Sequence, residues 1–280
     1  MVPRPPFHEP LSRLAAWSGR LALFALAVAI LSIVVVRSDL LEVGPALTAF
    51  GAALALAGVA VLLALGAFVH IWRHGYAGLS RALGGFTLGL LLLAYPAYLG
   101  YRAARLPALT DITTDPADPP SFVALAGQRP ADRRAYPGPA AAARQKSAYP
   151  DLVPLEEDIA PQQAYRIVLG LVIRRKWQVV DAHPPGGARR DGTIEAIARS
   201  PIMGLRDDIV IRIRPAAGGT KIDMRSASRF GPHDLGDNAV RIRSLFDEID
   251  DAIGSLPPEP PPAQEKKPPA RRPFPRAPQR

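Results

Sequence analysis

The chain of 280 residues contains no cysteine. This absence excludes a disulfide scaffold, a Cys-ligated zinc or iron–sulfur site and a thiol nucleophile. Histidine is also scarce, and the five copies lie at positions without the spacing of a metal site. Phosphate-binding glycine loops and the G-x-S-x-G nucleophile turn are missing as well. The sequence therefore predicts no metal, no cofactor and no recognised catalytic motif, which argues against an enzyme.

Residues 1–106 contain three long apolar runs in which charge is almost absent. Arg20 is the one charged residue inside these runs. These runs cover residues 17–36, 43–72 and 82–101. Each reaches the roughly 20 residues that cross a bilayer core of about 30 Å, and none has a polar face. We predict three transmembrane helices. The first resembles a secretory signal in its basic start, but no small-residue cleavage pattern follows it, so we interpret it as an uncleaved anchor.

Small residues recur four positions apart in the second and third runs, as in the Gly85–Gly89 pair. Such residues let helix backbones approach closely. The pattern predicts a three-helix bundle, with a helix-mediated oligomer as the alternative. In a three-span arrangement, five arginines lie on the membrane side that holds the N-terminus, and three lie on the other side. The excess predicts an N-terminus in the cytoplasm and a C-terminal part on the outer side of the membrane.

Residues 107–157 are predicted to be a proline-rich linker and docking segment. Ten prolines lie between positions 107 and 161, so extended or irregular backbone is expected. Residues 110–120 are either a segment that docks on the following domain or a plain juxtamembrane spacer. Residues 137–143, a Pro-Gly-Pro sequence followed by alanines, are interpreted as loosely ordered.

Regular periodicity returns in residues 158–256. Apolar spacing predicts a helix that ends near Arg174, a second helix over 234–255, and four strands between them at 177–182, 193–200, 208–214 and 220–228. The fold class is therefore α+β: a three-helix transmembrane bundle followed by a small two-layer domain of helices on an antiparallel sheet. We expect the helices to cover one face of the sheet and the other face to stay polar.

That polar face and the corner before the last helix hold the candidate binding residues. At this corner, the amides at the start of the helix could bind an anion. Alternatively, arginine–aspartate pairs brace the junction between the last strand and the helix. The candidates are Arg212, Arg214, Arg225, Ser226, Ser228, Arg229, Asp234, Asn238 and Arg241. A hydrolase that uses Ser228, His233 and the Asp207/Asp208 pair is an alternative, although adjacent His233 and Asp234 on a turn fit a catalytic triad poorly.

The tail, residues 257–280, is rich in proline and carries six Lys or Arg. Its composition is typical of disorder. It has the charge to contact anionic lipid or another anionic envelope polymer. Nucleic acid is not expected as a partner, because no nucleic-acid-binding fold accompanies the charge.

Several motifs together resemble the domain-of-unknown-function family 1499. They are TDITTDPADPPSF at 110–122, GTIEA at 192–196, DDIVIRIR at 207–214, and DMRSASR at 223–229 followed by DLGDNAVRI at 234–242. The resemblance covers residues 110–255. It implies a bacterial, envelope-associated domain that often follows membrane helices, and it implies no activity, catalytic residue or cofactor.

These observations lead to one expected function and two alternatives. We expect a multi-pass protein of the bacterial inner membrane whose periplasmic domain is a binding or scaffolding module. Its partners would be the lipid bilayer and an anionic envelope component or a membrane protein. The alternatives are the envelope hydrolase and a subunit that recruits a membrane partner through its helices.

Overall fold

A computed structural model describes residues 10–40, 42–129, 133, 135–186 and 191–256. Its N-terminal part is a bundle of three helices, α1 (Arg13–Arg37), α2 (Val43–His74) and α3 (Leu79–Arg105). All three are long and apolar enough to cross a membrane. The predicted spans are thus confirmed as helices. The predicted basic tail, residues 257–280, lies outside the described residues.

Small side chains form the contacts between the membrane helices. The buried positions of α2 are all alanines, and Gly85 and Gly89 are buried in α3. A Cβ atom on Gly89 would lie 2.6 Å from Cγ2 of Val61, so glycine is needed where α3 crosses α2. The helices therefore use their small residues within one chain.

The described residues after α3 form an antiparallel sheet with three α-helices. The strands are β1 (Asp111–Thr113), β2 (Leu155–Glu157), β3 (Gln178–His183), β4 (Gly192–Arg199), β5 (Arg206–Ala216) and β6 (Gly219–Ser228), and the helices are α4 (Pro139–Ala148), α5 (Pro161–Arg174) and α6 (Asp237–Gly254). The sheet order is β1-β6-β5-β4-β3, and β2 also pairs with β6. The α+β class is confirmed.

Alternation along the central strands explains the core. Ile209, Ile211 and Ile213 of β5 point to the same face as Ile222 and Met224 of β6. Helices α5 and α6 lie on this face, and their apolar sides complete the main core, for example through Val168 and Leu171 of α5 and Ile242 and Leu245 of α6. The predicted helical layer is therefore present.

The segment that precedes α5 is more ordered than its prolines suggested. Strand β1 pairs with β6, and Gln145 of α4 bonds both backbone groups of Thr113, at 3.1 Å to the amide and 2.6 Å to the carbonyl. Residues 139–143 are helical, so the prediction of a loosely ordered stretch there was wrong. Pro139 occupies the first turn of α4, where its missing N–H costs nothing.

The expectation that the second sheet face stays polar and open was also wrong. Phe122 and Leu125 pack on it against Ile197, Val210 and Ala227, and these five residues form a second small core. The chain between β1 and α4 thus covers the face opposite the helices. This cover decides which charged side chains can meet a partner.

Candidate binding site at the membrane surface

Glu195 anchors the covering segment to the sheet. Its carboxylate accepts hydrogen bonds from the backbone amides of Val123 at 2.7 Å, Ala124 at 3.1 Å and Leu125 at 2.9 Å. The residue is only 2% exposed. These three amide donors replace the hydrogen bonds to water that the carboxylate loses on burial. Glu195 therefore serves the fold rather than a ligand.

Arg225 is the largest buried side chain of the same face and is 2% exposed. Its guanidinium donates to both carboxylate oxygens of Asp111, at 2.9 and 2.7 Å, and to the carbonyl of Pro120 at 3.1 Å. The rings of Phe122 and Tyr136 flank it, with centroids at 4.7 and 5.7 Å. Burial, together with the charge of Asp111, raises the pKa of Tyr136 to about 12.

The remaining arginines of this face are paired as well. Asp208 is fully buried and bonds Arg229 on one oxygen and Arg129 on the other, both at 2.7 Å. Arg212 and Arg214 both contact Asp223, at 3.0 and 2.6 Å. Asp115 and Asp118 extend this second cluster to the solvent.

The corner before α6 forms a separate network on the helical side of the sheet. The carboxamide of Asn238 accepts a bond from Ser226 at 2.7 Å and donates to Ser228 at 3.1 Å. The guanidinium of Arg241 donates to the carboxamide oxygen of Asn238 at 2.6 Å and to the carboxylate of Asp207 at 2.6 Å. The arginine–aspartate brace expected as one interpretation of the corner is therefore present.

Asp234 occupies the amides at the start of α6. Its oxygens accept from Gly236 at 2.9 Å and Asn238 at 3.3 Å. Burial raises the pKa of Asp234. Because this carboxylate caps the helix, those amides are not open to an anion.

The nine predicted binding residues consequently lie in two groups on opposite faces of the sheet. Arg212, Arg214, Arg225 and Arg229 belong to the covered face, and the other five belong to the corner. Each of the five arginines has a carboxylate partner. The sequence located the charged positions but could not show that a non-local segment covers them.

The residues of the hydrolase alternative are also divided by the sheet. Ser228, His233 and Asp207 line one cavity of about 110 Å³ next to the end of α3. Asp208 points to the covered face instead. His233 contacts the carbonyl of Leu106 through Nε2 at 3.1 Å and accepts from the amide of Leu235 through Nδ1 at 2.8 Å. With both nitrogens held by the backbone, His233 is badly placed as a general base.

A different group of residues joins the sheet to the membrane helices. Asp39, in the short connection between α1 and α2, accepts bonds of 2.6 Å from both Arg199 and Arg206. Arg37 donates to the carbonyls of Pro201 and Ile202. These contacts fasten the β4–β5 turn to the end of the α1–α2 hairpin. The hydrogen bond from Arg199 holds the pKa of Asp39 below its usual value, against the opposing effect of its slight burial.

A second fastening lies at the end of α3. Arg102 pairs with Asp237, the first residue of α6, at 2.9 Å. A Cβ on Gly236 would lie 2.9 Å from the side chain of Leu106, and Gly236 has a positive φ of 79°. The positive φ favours glycine where the α6 corner meets the end of α3, whereas the terminal methyl of Leu106 could shift to make room for a side chain.

A cleft of about 590 Å³ opens between the hairpin and the sheet. Val36, Leu40 and Val43 form an apolar wall from the α1–α2 hairpin. Arg206, Arg229 and Gln128 form a polar wall from the sheet domain, and Asp39 and Glu42 lie at the hairpin side. The cleft is thus amphipathic and lies level with the ends of the membrane helices.

Sequence reasoning missed this junction because its members are far apart in the chain. Asp39 was visible as a single acid between two apolar runs, and that isolated charge was the available signal. Arg199 lies 160 positions further along the chain. Nothing local linked them, since the pair depends on how the sheet stands on the bundle.

Comparison with known protein families gives a match over the sheet domain. A family model described as "Protein of unknown function (DUF1499)" matches residues 111–249. The match begins at β1 and ends within α6, so it includes the covering segment and excludes the three membrane helices. No curated protein matches the chain.

Proposed function

Residues 111–249 belong to the DUF1499 family, whose description names no activity. We therefore propose a function from the geometry of the junction between the sheet and the membrane helices. The protein is a membrane-anchored binding module of the bacterial cell envelope. Its α+β domain stands on the outer side of the inner membrane. The ligand is a zwitterionic phospholipid head of the phosphatidylethanolamine type, held in the cleft between the α1–α2 hairpin and the sheet.

The amphipathic cleft carries this proposal. An acyl chain would lie along Leu40 and Val43, while the head would face the polar wall that includes Gln128. Ligand sites combine apolar walls with a few convergent polar groups in this way. The polar sheet face and the α6 corner offer less, because Phe122 and Leu125 cover the sheet face and the cavity beside the corner measures only about 110 Å³.

The charges of the cleft favour a head with both signs. Arg206 and Arg229 present guanidiniums, and Asp39 and Glu42 present carboxylates. Asp39 is bonded to Arg206, whereas Glu42 has no ion pair within the described residues. Glu42 would therefore receive the ammonium of the ligand, and the guanidinium edge would receive the phosphate.

The outer location rests on the arginine asymmetry of the flanks. The fastening of the domain to the α1–α2 hairpin supports a fixed position at the membrane surface. A rigid module at this height would meet lipid heads directly, and it would keep the cleft open without reorganisation on binding.

Native mass spectrometry of the full-length protein in mild detergent tests the proposal, with phosphatidylethanolamine as the probe. Val43→Trp narrows the cleft, and Val59→Trp makes the same change on a lipid-facing position of α2 that is 44% exposed. We expect Val43→Trp to weaken the phosphatidylethanolamine adduct by about tenfold or more and Val59→Trp to leave it unchanged. Glu42→Gln should remove the preference for phosphatidylethanolamine over phosphatidylglycerol. Equal binding by all three variants would reject the cleft as the site.

A further inference from the structure

A second cavity lies at the opposite end of the membrane bundle, between α1 and α3. It measures about 520 Å³. Leu23 and Leu88 form its sides, and Gly84 leaves its floor open, since a Cβ there would meet nothing within 4 Å. Arg20 and Arg81 stand at its rim. Unlike the junction cleft, this groove is built entirely from membrane helices.

The two arginines lie at the same height, near one boundary of the bilayer. Arg81 is in the first turn of α3, and a Cβ on Gly19 would lie 3.5 Å from its carbonyl oxygen. From Arg20 to Arg37, α1 rises about 26 Å, and from Arg81 to Arg102, α3 rises about 32 Å. These lengths match a hydrocarbon core of about 30 Å, so the rim lies where lipid phosphates lie.

Among the described residues, the two arginines at the rim have no acidic partner. Within the described part of the chain, no carboxylate lines the groove and none pairs with Arg20 or Arg81. The arginines at the other boundary differ, because Arg37 and Arg102 are bonded to the sheet domain. Arg20 instead packs over the ring of Trp17 at 5.6 Å.

We propose that this groove binds one anionic phospholipid. Its phosphate lies between Arg20 and Arg81, and one acyl chain lies over Gly84 between Leu23 and Leu88. Two guanidiniums beside an apolar groove fit a phosphate that carries a chain, and arginine is well suited to phosphate. A free phosphate would leave the apolar sides unused. This site is independent of the proposed function, because the two cavities share no residue.

The test uses the full-length protein in mild detergent, titrated with phosphatidylglycerol and, separately, with phosphatidylcholine. The double variant Arg20→Gln/Arg81→Gln is compared with Arg13→Gln/Arg73→Gln, which removes the same charge near the same boundary outside the groove. Native mass spectrometry measures the affinity of the first lipid. We expect the first double variant to lose about thirtyfold in affinity for phosphatidylglycerol and the control to stay within about threefold of the parent.

A second pair of variants blocks the groove without changing charge. Gly84→Trp should abolish the phosphatidylglycerol adduct, while Gly100→Trp, at another open position of α3, should keep it. Equal affinity for phosphatidylcholine, or an unchanged adduct in Gly84→Trp, would overturn the proposal. A dimer mass that Gly84→Trp removes would also overturn it and identify a second copy of the chain as the occupant. The phosphatidylethanolamine adduct of the junction cleft should persist in every groove variant, which separates failure of this site from failure of the proposed function.

Discussion

The buried Arg225–Asp111 pair provides the sharpest test of how the covering segment is held. Replacing Asp111 by Ala leaves the guanidinium enclosed by Phe122 and Tyr136 without its carboxylate. Removal of one partner from a buried ion pair costs about 3–5 kcal/mol, because the other charge stays desolvated. With a urea m value of about 2 kcal/mol per M, the unfolding midpoint of the domain should fall by about 2 M.

The assay is urea unfolding of the full-length protein in micelles, followed by tryptophan fluorescence. The chain has three tryptophans. Trp17→Phe and Trp72→Phe leave Trp177, which packs against the main core of the sheet domain, as the reporter. The domain can then be followed while the membrane helices stay in detergent.

The matched control is Asp151→Ala, which removes an exposed carboxylate from its pair with Arg243. Exposed pairs contribute less than about 1 kcal/mol, so the midpoint should move by less than about 0.5 M. If Asp111→Ala shifts the midpoint no more than Asp151→Ala does, the segment is not fastened by a buried charge pair.

Three further predictions concern the junction, the bundle and the covering segment. Asp39→Asn should increase hydrogen exchange of backbone amides in 200–205 at neutral pH. Relative to the intrinsic exchange rate at each pH, the parent should show the same increase on acidification. A carboxylate whose folded pKa is lowered stabilises docking above its unfolded pKa of about 3.9, and it loses this effect as the pH falls through the folded pKa. Exchange that is independent of Asp39 would contradict this. Gly85→Ala should lower the thermal stability of the bundle by about 1–3 kcal/mol, since its Cβ would lie 2.7 Å from the backbone carbonyl carbon of Ser18. The control Gly84→Ala should not lower it, and equal melting temperatures of the two variants would count against the packing. Glu195→Gln should cost about 1.5–3 kcal/mol in urea unfolding by weakening the charged bonds to three amides, and a smaller effect than that of Asp151→Ala would argue against them.

The sequence was sufficient for the elements whose patterns are local. The apolar runs predicted α1 to α3, and the alternating isoleucines of 209–213 predicted β5 and its buried face. The last helix followed from the spacing of Ile242, Leu245 and Ile249. In each case the signal lies within one element, so periodicity alone carries it.

Non-local contacts account for what the sequence did not reveal. Strand alternation puts Glu195 and Arg225 on the face opposite the helices, but their burial depends on amides and a carboxylate about 70 and 114 positions earlier in the chain. The prolines of the covering segment suggested irregular backbone, which is compatible with an ordered cover once buried charges supply its bonds. The junction cleft escaped prediction for the same reason, because Asp39 meets Arg199 only after the bundle and the sheet have assembled.

The proposed position of the sheet domain on the outer surface of the inner membrane can be measured directly, because the chain has no native cysteine. Ser255→Cys places a thiol at the exposed end of α6, and Ser80→Cys places one at the start of α3 on the opposite side of the membrane. Cells with a permeabilised outer membrane are treated with a membrane-impermeant maleimide before and after lysis. We expect Ser255→Cys to be labelled before lysis and Ser80→Cys only after it. The reverse pattern would place the domain in the cytoplasm and contradict the envelope function.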